Sequence, residues 1–219
     1  MIGFYNYTVI LTYIGLVSTV IGITQVFNGE YMLAMFCLIV SGVCDMFDGV
    51  VARTHKTRSE HAKKFGIQID SLCDVICFGV FPAIINYAYT LHVKKEFSIV
   101  ATAISAFFVL AAVIRLGYFN VMEEERQKKT SEPRMTYQGM PVTSVAGFLP
   151  LLYMFKQRLA AVNVDFYVAL NAFCLVLGIL YILNIPVPKA HKRGIIIMSV
   201  MGALMITVLA LQYFGKINF

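Results

Sequence analysis

Four aspartates lie between residues 45 and 74, where one apolar segment ends and the next begins. Asp45 and Asp48 are spaced i, i+3. Asp70 and Asp74 are spaced i, i+4. On a helix, either spacing places both carboxylates on one face, about one turn apart. Because four adjacent carboxylates repel one another, and because Mg²⁺, Mn²⁺ and Ca²⁺ prefer oxygen ligands, the pattern predicts a site for one or two divalent cations that could hold a phosphate group.

An alternative for part of this set is helix capping. Asp70 and Ser71 could cap the N-terminus of the helix that follows, where negative charge is favoured. Capping does not account for Asp74, one turn deeper. It also leaves the first aspartate pair unexplained, since that pair lies at the end of an apolar segment, where the helix dipole disfavours anions.

Small and basic residues surround the aspartates. Gly49 follows the first pair directly, and Ala52 is nearly one turn further on. Small residues allow a ligand or a neighbouring helix to approach closely. Arg53 could extend to the membrane interface or bind a phosphate with two hydrogen bonds. Gly66, just before the second pair, is either a plain loop glycine or a position that leaves room for a ligand.

The composition shows what kind of element must carry these residues. Of 219 residues, 59% are hydrophobic and 14% are charged, with a mean hydropathy of +0.75. Soluble domains contain about 45–50% apolar and about 25% charged residues. We therefore expect an all-α polytopic membrane protein that forms a single integral membrane domain over residues 1–219. Seven segments are apolar enough to span or nearly so, with six to eight helices as the range: 5–27, 31–50, 70–91, 97–119, 140–155, 163–183 and 194–214.

The distribution of charge predicts the orientation. Twelve lysines and arginines lie in the loops after the second, fourth and sixth segments, and five lie on the other side. By the positive-inside rule the N-terminus is cytoplasmic and the C-terminus external. The acidic residues then lie just inside the cytoplasmic interface of the cytoplasmic membrane. The basic loops suit anionic lipid headgroups, and we expect no nucleic-acid partner.

Other polar features of the apolar segments have simpler interpretations. The first segment lacks a basic n-region and a small-residue cleavage site, so we expect a transmembrane helix and not a signal peptide. All five cysteines lie in apolar segments and are expected to behave as small hydrophobes, without a disulfide or a zinc site. Thr12 and Ser18 are expected to form hydrogen bonds between helices.

The acidic stretch resembles the signature of the CDP-alcohol phosphotransferase family, D-x2-D-G-x2-A-R-x8-G-x3-D-x3-D. Eight residues match its fixed positions in order: Asp45, Asp48, Gly49, Ala52, Arg53, Gly66, Asp70 and Asp74. The chain departs from the pattern at one point, because twelve residues and not eight separate Arg53 from Gly66. Four additional residues amount to about one helical turn. We expect them to lengthen the basic loop within a connection of about 20 residues between the two acidic helices.

Three segments resemble, within that family, the branch whose acceptor is L-serine. They are FGIQIDSLCDVICFGVFP at 65–82, RLGYFNV at 115–121 and GMPVTS at 139–144. The resemblance covers residues 44–144, which we expect to form the catalytic segment. The rest of the chain resembles this family only in consisting of apolar helices.

The resemblance implies a fold, a reaction and residue roles. The fold would be a six-helix core with about one additional transmembrane helix, in a homodimer. The reaction would be attack of the serine hydroxyl on CDP-diacylglycerol or its ether analogue, with release of CMP. Mg²⁺ or Mn²⁺, as one or two ions, would be held by Asp45, Asp48, Asp70 and Asp74, with Asp74 as the general base. The CDP-lipid would contact Gly49, Ala52, Arg53 and Gly66.

Two further residues are candidates for binding the acceptor. Arg115 lies near the cytoplasmic end of the fourth segment, where an arginine must be paired or reach the interface. It could bind the carboxylate of serine or a phosphate, or form an ion pair with one of the aspartates. Asn120 could contact the acceptor or simply end its helix. The acidic and basic residues from 123 to 129 are expected to form a solvated loop.

Other functions remain open at this stage. Sister enzymes of the family use inositol phosphate, glycerol 3-phosphate or choline. Membrane prenyltransferases also bind a diphosphate through aspartates and Mg²⁺, but their motifs lack the G-x2-A-R that follows Asp48. An ion carrier would be expected to have discontinuous helices and a repeated half, and neither is evident in this sequence.

Overall fold

A computed structural model describes Gly3 and residues 7–54, 59–129, 136–188 and 192–215 of the protein. Within these residues the chain forms nine α-helices. They are α1 (Ile10–Phe27), α2 (Tyr31–Thr54), α3 (Glu60–Asp74), α4 (Phe81–Val93), α5 (Ser98–Lys129), α6 (Val145–Met154), α7 (Lys156–Ala161), α8 (Phe166–Ile182) and α9 (Lys192–Tyr213).

The helices confirm the expected all-α polytopic membrane architecture. Four continuous helical stretches are long and apolar enough to cross a membrane: Ile10–Phe27, Tyr31–Val51, Glu60–Val93 and Lys95–Arg126. Three shorter apolar helices follow: Val142–Met154, Phe166–Ile182 and Val200–Gln212. These seven stretches occupy the places of the seven predicted apolar segments. The protein is therefore an integral membrane protein.

One of these stretches contains a change of helical geometry. α3 and α4 are joined by a π-helical turn, Val75–Val80, which begins directly after Asp74. There the N–H of Phe81 donates to the carbonyl of Ile76, five residues earlier. Pro82 follows in the first turn of α4, where its missing N–H is tolerated. The wider turn shifts the register between the face of α3 that carries the aspartates and the buried face of α4.

The core lies where α4, α5 and α8 pack against one another and α2 packs against α1 and α6. Its largest fully buried side chains include Phe78, Phe81, Phe108, Leu38, Leu170 and Tyr181. Small residues let some helices approach closely. A Cβ added to Gly42 of α2 would lie 2.6 Å from Cβ of Ala146 in α6. Since the membrane interior provides no hydrophobic driving force between helices, such close packing is a main source of their association.

The start of α3 differs from the sequence-based expectation. α2 continues to Thr54 and α3 already begins at Glu60, so residues 55–59 connect them and the expected connection of about 20 residues is wrong. Ser59 caps α3 by accepting a hydrogen bond from the N–H of Ala62 at 3.2 Å. Glu60 in the first turn suits the helix dipole. Six of the twelve residues between Arg53 and Gly66, residues 60–65, therefore belong to α3.

Two other expectations about loops need correction. Residues 123 to 129 belong to α5, where Arg126 pairs with Glu123 at 2.6 Å and Lys128 pairs with Glu124 at 3.0 Å. These i, i+3 and i, i+4 pairs favour continued helix over the solvated loop that was expected. A short antiparallel strand pair, β1 (Thr136–Gln138) with β2 (Pro186–Pro188), was not predicted.

Candidate active site

The four aspartates of the acidic motif come together between α2 and α3. Carboxylate oxygens of Asp45, Asp70 and Asp74 lie within 4.8 Å of one another. The carboxyl of Asp48 contacts that of Asp70, and the carboxyl of Asp45 contacts that of Asp74. The predicted convergence of the two acidic pairs is therefore present in the structure. We call this group the acidic cluster.

The chemistry of the acidic cluster fits a divalent cation. Asp48 is only 9% exposed, and the other three side chains are partly buried. Two ion pairs lie near the C-terminal end of α5, Arg126 with Glu123 and Lys128 with Glu124, and neither involves these carboxylates. Four carboxylates packed together without a cation of the protein would be strongly unfavourable if ionised. An oxygen-liganded metal ion is the partner that such a donor set suits best.

Asp45, Asp48 and Asp70 lie within α2 and α3, and Asp74 is the last residue of α3, after which the helical stretch continues into the π-helical turn. Asp48 precedes the last residue of α2, Thr54, by six residues, which is about 9 Å of helix. Asp70 follows the first residue of α3, Glu60, by ten residues, or about 15 Å. The capping role considered for Asp70 is therefore wrong, since Ser59 is the cap. The first pair was expected at the end of its helix and the second pair at the start of its helix. Both placements are wrong, because α2 continues beyond Asp48 to Thr54 and α3 begins at Glu60, before Asp70.

Helix α1 forms a third wall of the site. The Thr12 hydroxyl donates to Oδ2 of Asp48 at 3.3 Å, and Ser41 donates to the Gly15 carbonyl at 2.9 Å. These residues line a small cavity beside the aspartates together with Cys44, Cys73, Cys77 and Phe78. The expected helix–helix hydrogen bond of Thr12 is confirmed, but its acceptor was not foreseen. The signal in the sequence was the spacing of the buried small residues of α1: Thr12, Gly15, Thr19 and Gly22.

The other residues of the motif flank the acidic cluster. Gly49 follows Asp48 within α2, and Gly66 lies one turn before Asp70 within α3, so Gly66 is not a loop glycine. Ala52 and Arg53 belong to the last turn of α2, and their side chains lie outside the described part of the structure. The substrate contacts expected of these four residues remain predictions.

Arg115 holds a loop segment in place. It is 6% exposed, and its Nε and Nη2 donate to the carbonyls of Met140 and Gly139, each at 3.1 Å. Gly139 has a φ of +79°, and its N–H donates to the Ile185 carbonyl at 2.6 Å. The ion pair considered between Arg115 and an aspartate is not among the contacts described. A cavity of about 220 Å³ lies beside Arg115 and is also lined by Tyr118 and Asn184.

Asn120 contacts the acidic helix. It lies within α5, nine residues before the end at Lys129, so the alternative that it ends its helix is wrong. Its Nδ2 donates to Oγ of Ser71 at 2.8 Å. Ser71 is adjacent to Asp70 in α3. Ser71 was considered only as a cap, and its contact with α5, 49 residues away, has no signal in the local sequence.

Comparison with known proteins identifies relatives along most of the chain. The profile of the CDP-alcohol phosphatidyltransferase family matches residues 5–214. A Helicobacter pylori protein named CDP-diacylglycerol–serine O-phosphatidyltransferase is 32% identical over 178 residues, which cover 80% of this chain and 70% of its own. A Saccharomyces cerevisiae protein of the same name is 33% identical over 140 residues, 63% of this chain and 48% of its own.

An archaeal relative differs in name. Archaetidylserine synthase of Methanothermobacter thermautotrophicus is 28% identical over 169 residues, 76% of this chain and 63% of its own. No solved structure gives a significant match. The chain belongs to the CDP-alcohol phosphatidyltransferase family.

Proposed function

We propose that this member of the CDP-alcohol phosphatidyltransferase family transfers the phosphatidyl group of CDP-diacylglycerol to L-serine, giving phosphatidylserine and CMP. The names of the bacterial and yeast relatives support this donor and this acceptor. The observation that carries the chemistry is the acidic cluster, in which carboxylate oxygens of Asp45, Asp70 and Asp74 lie within 4.8 Å of one another. The name of the archaeal relative makes an ether-linked CDP-lipid the alternative donor.

The acidic cluster would hold Mg²⁺ or Mn²⁺, as one or two ions. Its four members are the proposed ligands: Asp45, Asp48, Asp70 and Asp74. Bound there, the metal would offset the charge of the diphosphate and the charge that develops on the oxygen of departing CMP. Thr12 supports this arrangement, because its hydroxyl donates to Asp48 and so orients one carboxylate.

Asp74 is proposed as the general base. The hydroxyl oxygen of serine forms a bond to the phosphorus that carries the diacylglycerol. The bond from that phosphorus to the CMP oxygen breaks, and the hydroxyl proton passes to the carboxylate of Asp74. Such a proton transfer typically contributes about 10²- to 10⁴-fold to a rate. Most of the remaining acceleration in phosphoryl transfer comes from positioning and charge stabilisation.

The substrates are expected to approach from two sides of the acidic cluster. We assign the CDP-lipid to Gly49, Ala52, Arg53 and Gly66. We assign the acceptor to the side of α5, where Arg115 and Asn120 lie. Arg115 already donates to two backbone carbonyls, so its contribution to the acceptor site would include holding residues 139–140 in place.

The proposed location is the cytoplasmic membrane, with the site at the cytoplasmic interface, and the proposed assembly is a homodimer. The orientation is supported by the charge distribution of the sequence, with twelve lysines and arginines in the loops after the second, fourth and sixth apolar segments against five on the other side. A lipid donor and a water-soluble acceptor both have access to a site at this depth. The whole chain, residues 1–219, would then form one catalytic membrane domain.

The test is CMP release by the purified protein with CDP-diacylglycerol and Mn²⁺ or Mg²⁺. L-serine, inositol phosphate, glycerol 3-phosphate and choline are offered separately, and we expect release with serine. Asp74→Asn should reduce the rate at least 100-fold. The matched control is Asp165→Asn, because Asp165 is exposed at the N-terminus of α8 and its side chain makes no capping bond.

Three outcomes would contradict parts of the proposal. Release only with another acceptor would refute the assignment of serine. Wild-type rates from Asp74→Asn would refute the general base. Absence of CMP release with every acceptor would favour the alternatives of a prenyltransferase or an ion carrier, against which the family membership argues.

A further inference from the structure

One polar contact connects the acidic helix to α5. Nδ2 of Asn120 donates to Oγ of Ser71 at 2.8 Å. Ser71 directly follows Asp70 and precedes Asp74 by three residues. At about 100° per residue, the Ser71 side chain lies on the flank of the face that carries both carboxylates. The bond therefore fixes α3 beside the acidic cluster without using either carboxylate.

α3 buries few of its side chains. Of its fifteen residues, Glu60–Asp74, only Cys73 is buried. The helix continues through the π-helical turn into α4, so its rotation is restrained at the Asp74 end, and directional side-chain contacts set the rotation that remains. Carboxylates project about 6 Å from the axis, so a rotation of 20° would displace their oxygens by about 2 Å. Metal–ligand distances tolerate only about 0.2 Å.

We propose that Ser71 and Asn120 are positioning residues that set the rotation of α3, so that Asp70 and Asp74 meet Asp45 and Asp48 in the geometry a divalent cation requires. The inference rests on the proposed metal role of the acidic cluster. It gives Asn120 a second task beside the proposed acceptor site, since its amide donates to Ser71. It also makes Ser71 part of the site, as a residue that acts through the orientation of α3.

The prediction is a loss of metal affinity that is separate from acceptor binding. Changes of residues that orient metal ligands typically weaken metal binding about 10- to 100-fold. We expect Ser71→Ala and Asn120→Ala each to weaken Mn²⁺ binding about tenfold. The double variant should be no weaker than either single variant, because both remove the same bond. Ser71→Thr keeps the hydroxyl and should retain wild-type affinity.

The experiment measures Mn²⁺ binding by electron paramagnetic resonance on purified protein without substrates. CMP release is then measured against serine concentration at saturating Mn²⁺. The KM for serine should be unchanged in Ser71→Ala. The control is Ser18→Ala, since Ser18 also donates between helices, to the Cys37 carbonyl at 3.0 Å, but lies about two turns from Thr12 along α1. Its Mn²⁺ affinity should equal that of the wild type.

Each result decides the inference. Unchanged Mn²⁺ affinity in folded Ser71→Ala and Asn120→Ala would overturn it. So would a raised KM for serine in Ser71→Ala, since the loss of this bond should change only metal binding. If the wild type bound no Mn²⁺, the metal role and this inference would both be wrong. If the wild type bound Mn²⁺ but used another acceptor, only the serine assignment would be wrong, and the Mn²⁺ series would still decide the role of Ser71.

Discussion

Replacement of Gly139 by alanine tests the segment between α5 and α6. Gly139 has a φ of +79°, and an added Cβ would lie 2.9 Å from the carbonyl oxygen of Leu183. The left-handed conformation costs a residue with a Cβ about 1–2 kcal/mol. Overpacking against the backbone adds about 1–3 kcal/mol. Gly139→Ala should therefore destabilise the protein by about 2–5 kcal/mol, which for a chain of this size lowers Tm by roughly 4–20 °C.

The structure provides both the assay and the control. All five cysteines are free thiols, and four of them are buried: Cys44, Cys73, Cys77 and Cys174. A thiol-reactive fluorophore therefore reports unfolding in detergent as temperature rises. The control is Gly147→Ala in α6, where an added Cβ meets nothing within 4 Å. That change should be neutral or stabilising by up to about 1 kcal/mol, because alanine is the better helix former.

The comparison of the two variants can refute the reasoning. Equal Tm values for Gly139→Ala and Gly147→Ala would mean that residue 139 does not need a left-handed backbone. The hydrogen bonds from Arg115 to the carbonyls of residues 139 and 140 would then not depend on that turn. A fall in Tm confined to Gly139→Ala would show that this turn is required for the stability of the helix bundle.

Three further predictions concern the metal, the core and the orientation. Chelation with EDTA should abolish CMP release, and added Mn²⁺ should restore it; release that persists in EDTA would contradict the metal role. Asn86→Leu should lower Tm in the thiol assay, because Asn86 donates to Ser105 and Asn171 and such bonds contribute about 0.6–1.7 kcal/mol each; an unchanged Tm would contradict this. A cysteine placed at the exposed Glu124 should react with a membrane-impermeant maleimide from the cytoplasmic side, and one at the exposed Glu96 from the external side; the reverse pattern would invert the topology.

The sequence predicts the apolar helices and the acidic cluster because both depend on local patterns. Long apolar segments must form helices in a membrane, since no water is available to satisfy the backbone. The i, i+3 and i, i+4 spacings of the aspartates fix their faces once those helices exist. Two antiparallel neighbours then bring Asp45 and Asp74 together, as the structure shows.

The features of the fold and of the site that were not predicted depend on contacts between distant residues or on weak local signals. The bonds from Thr12 to Asp48 and from Asn120 to Ser71 join residues 36 and 49 positions apart, which no local pattern reveals. The early start of α3 did have a signal in Ser59 followed by Glu60, a cap with an acidic first turn. The start of α3 is rich in charged residues, so its low hydropathy favoured a loop and outweighed the capping signal.

The two halves of the acidic cluster have unequal support, and this difference bears on how the site works. α2 is tied to α1 by several polar contacts: Ser41 donates to the Gly15 carbonyl, and the hydroxyls of Thr19 and Ser41 are 2.9 Å apart. α3 buries only Cys73; beside the site, Ser71 accepts a hydrogen bond from Asn120, and Asp70 and Asp74 contact carboxyls of α2. The first acidic pair is therefore fixed by helix packing before any ligand binds. The second pair depends on a polar contact and on the bound metal itself, so metal binding and the ordering of α3 are expected to be thermodynamically linked.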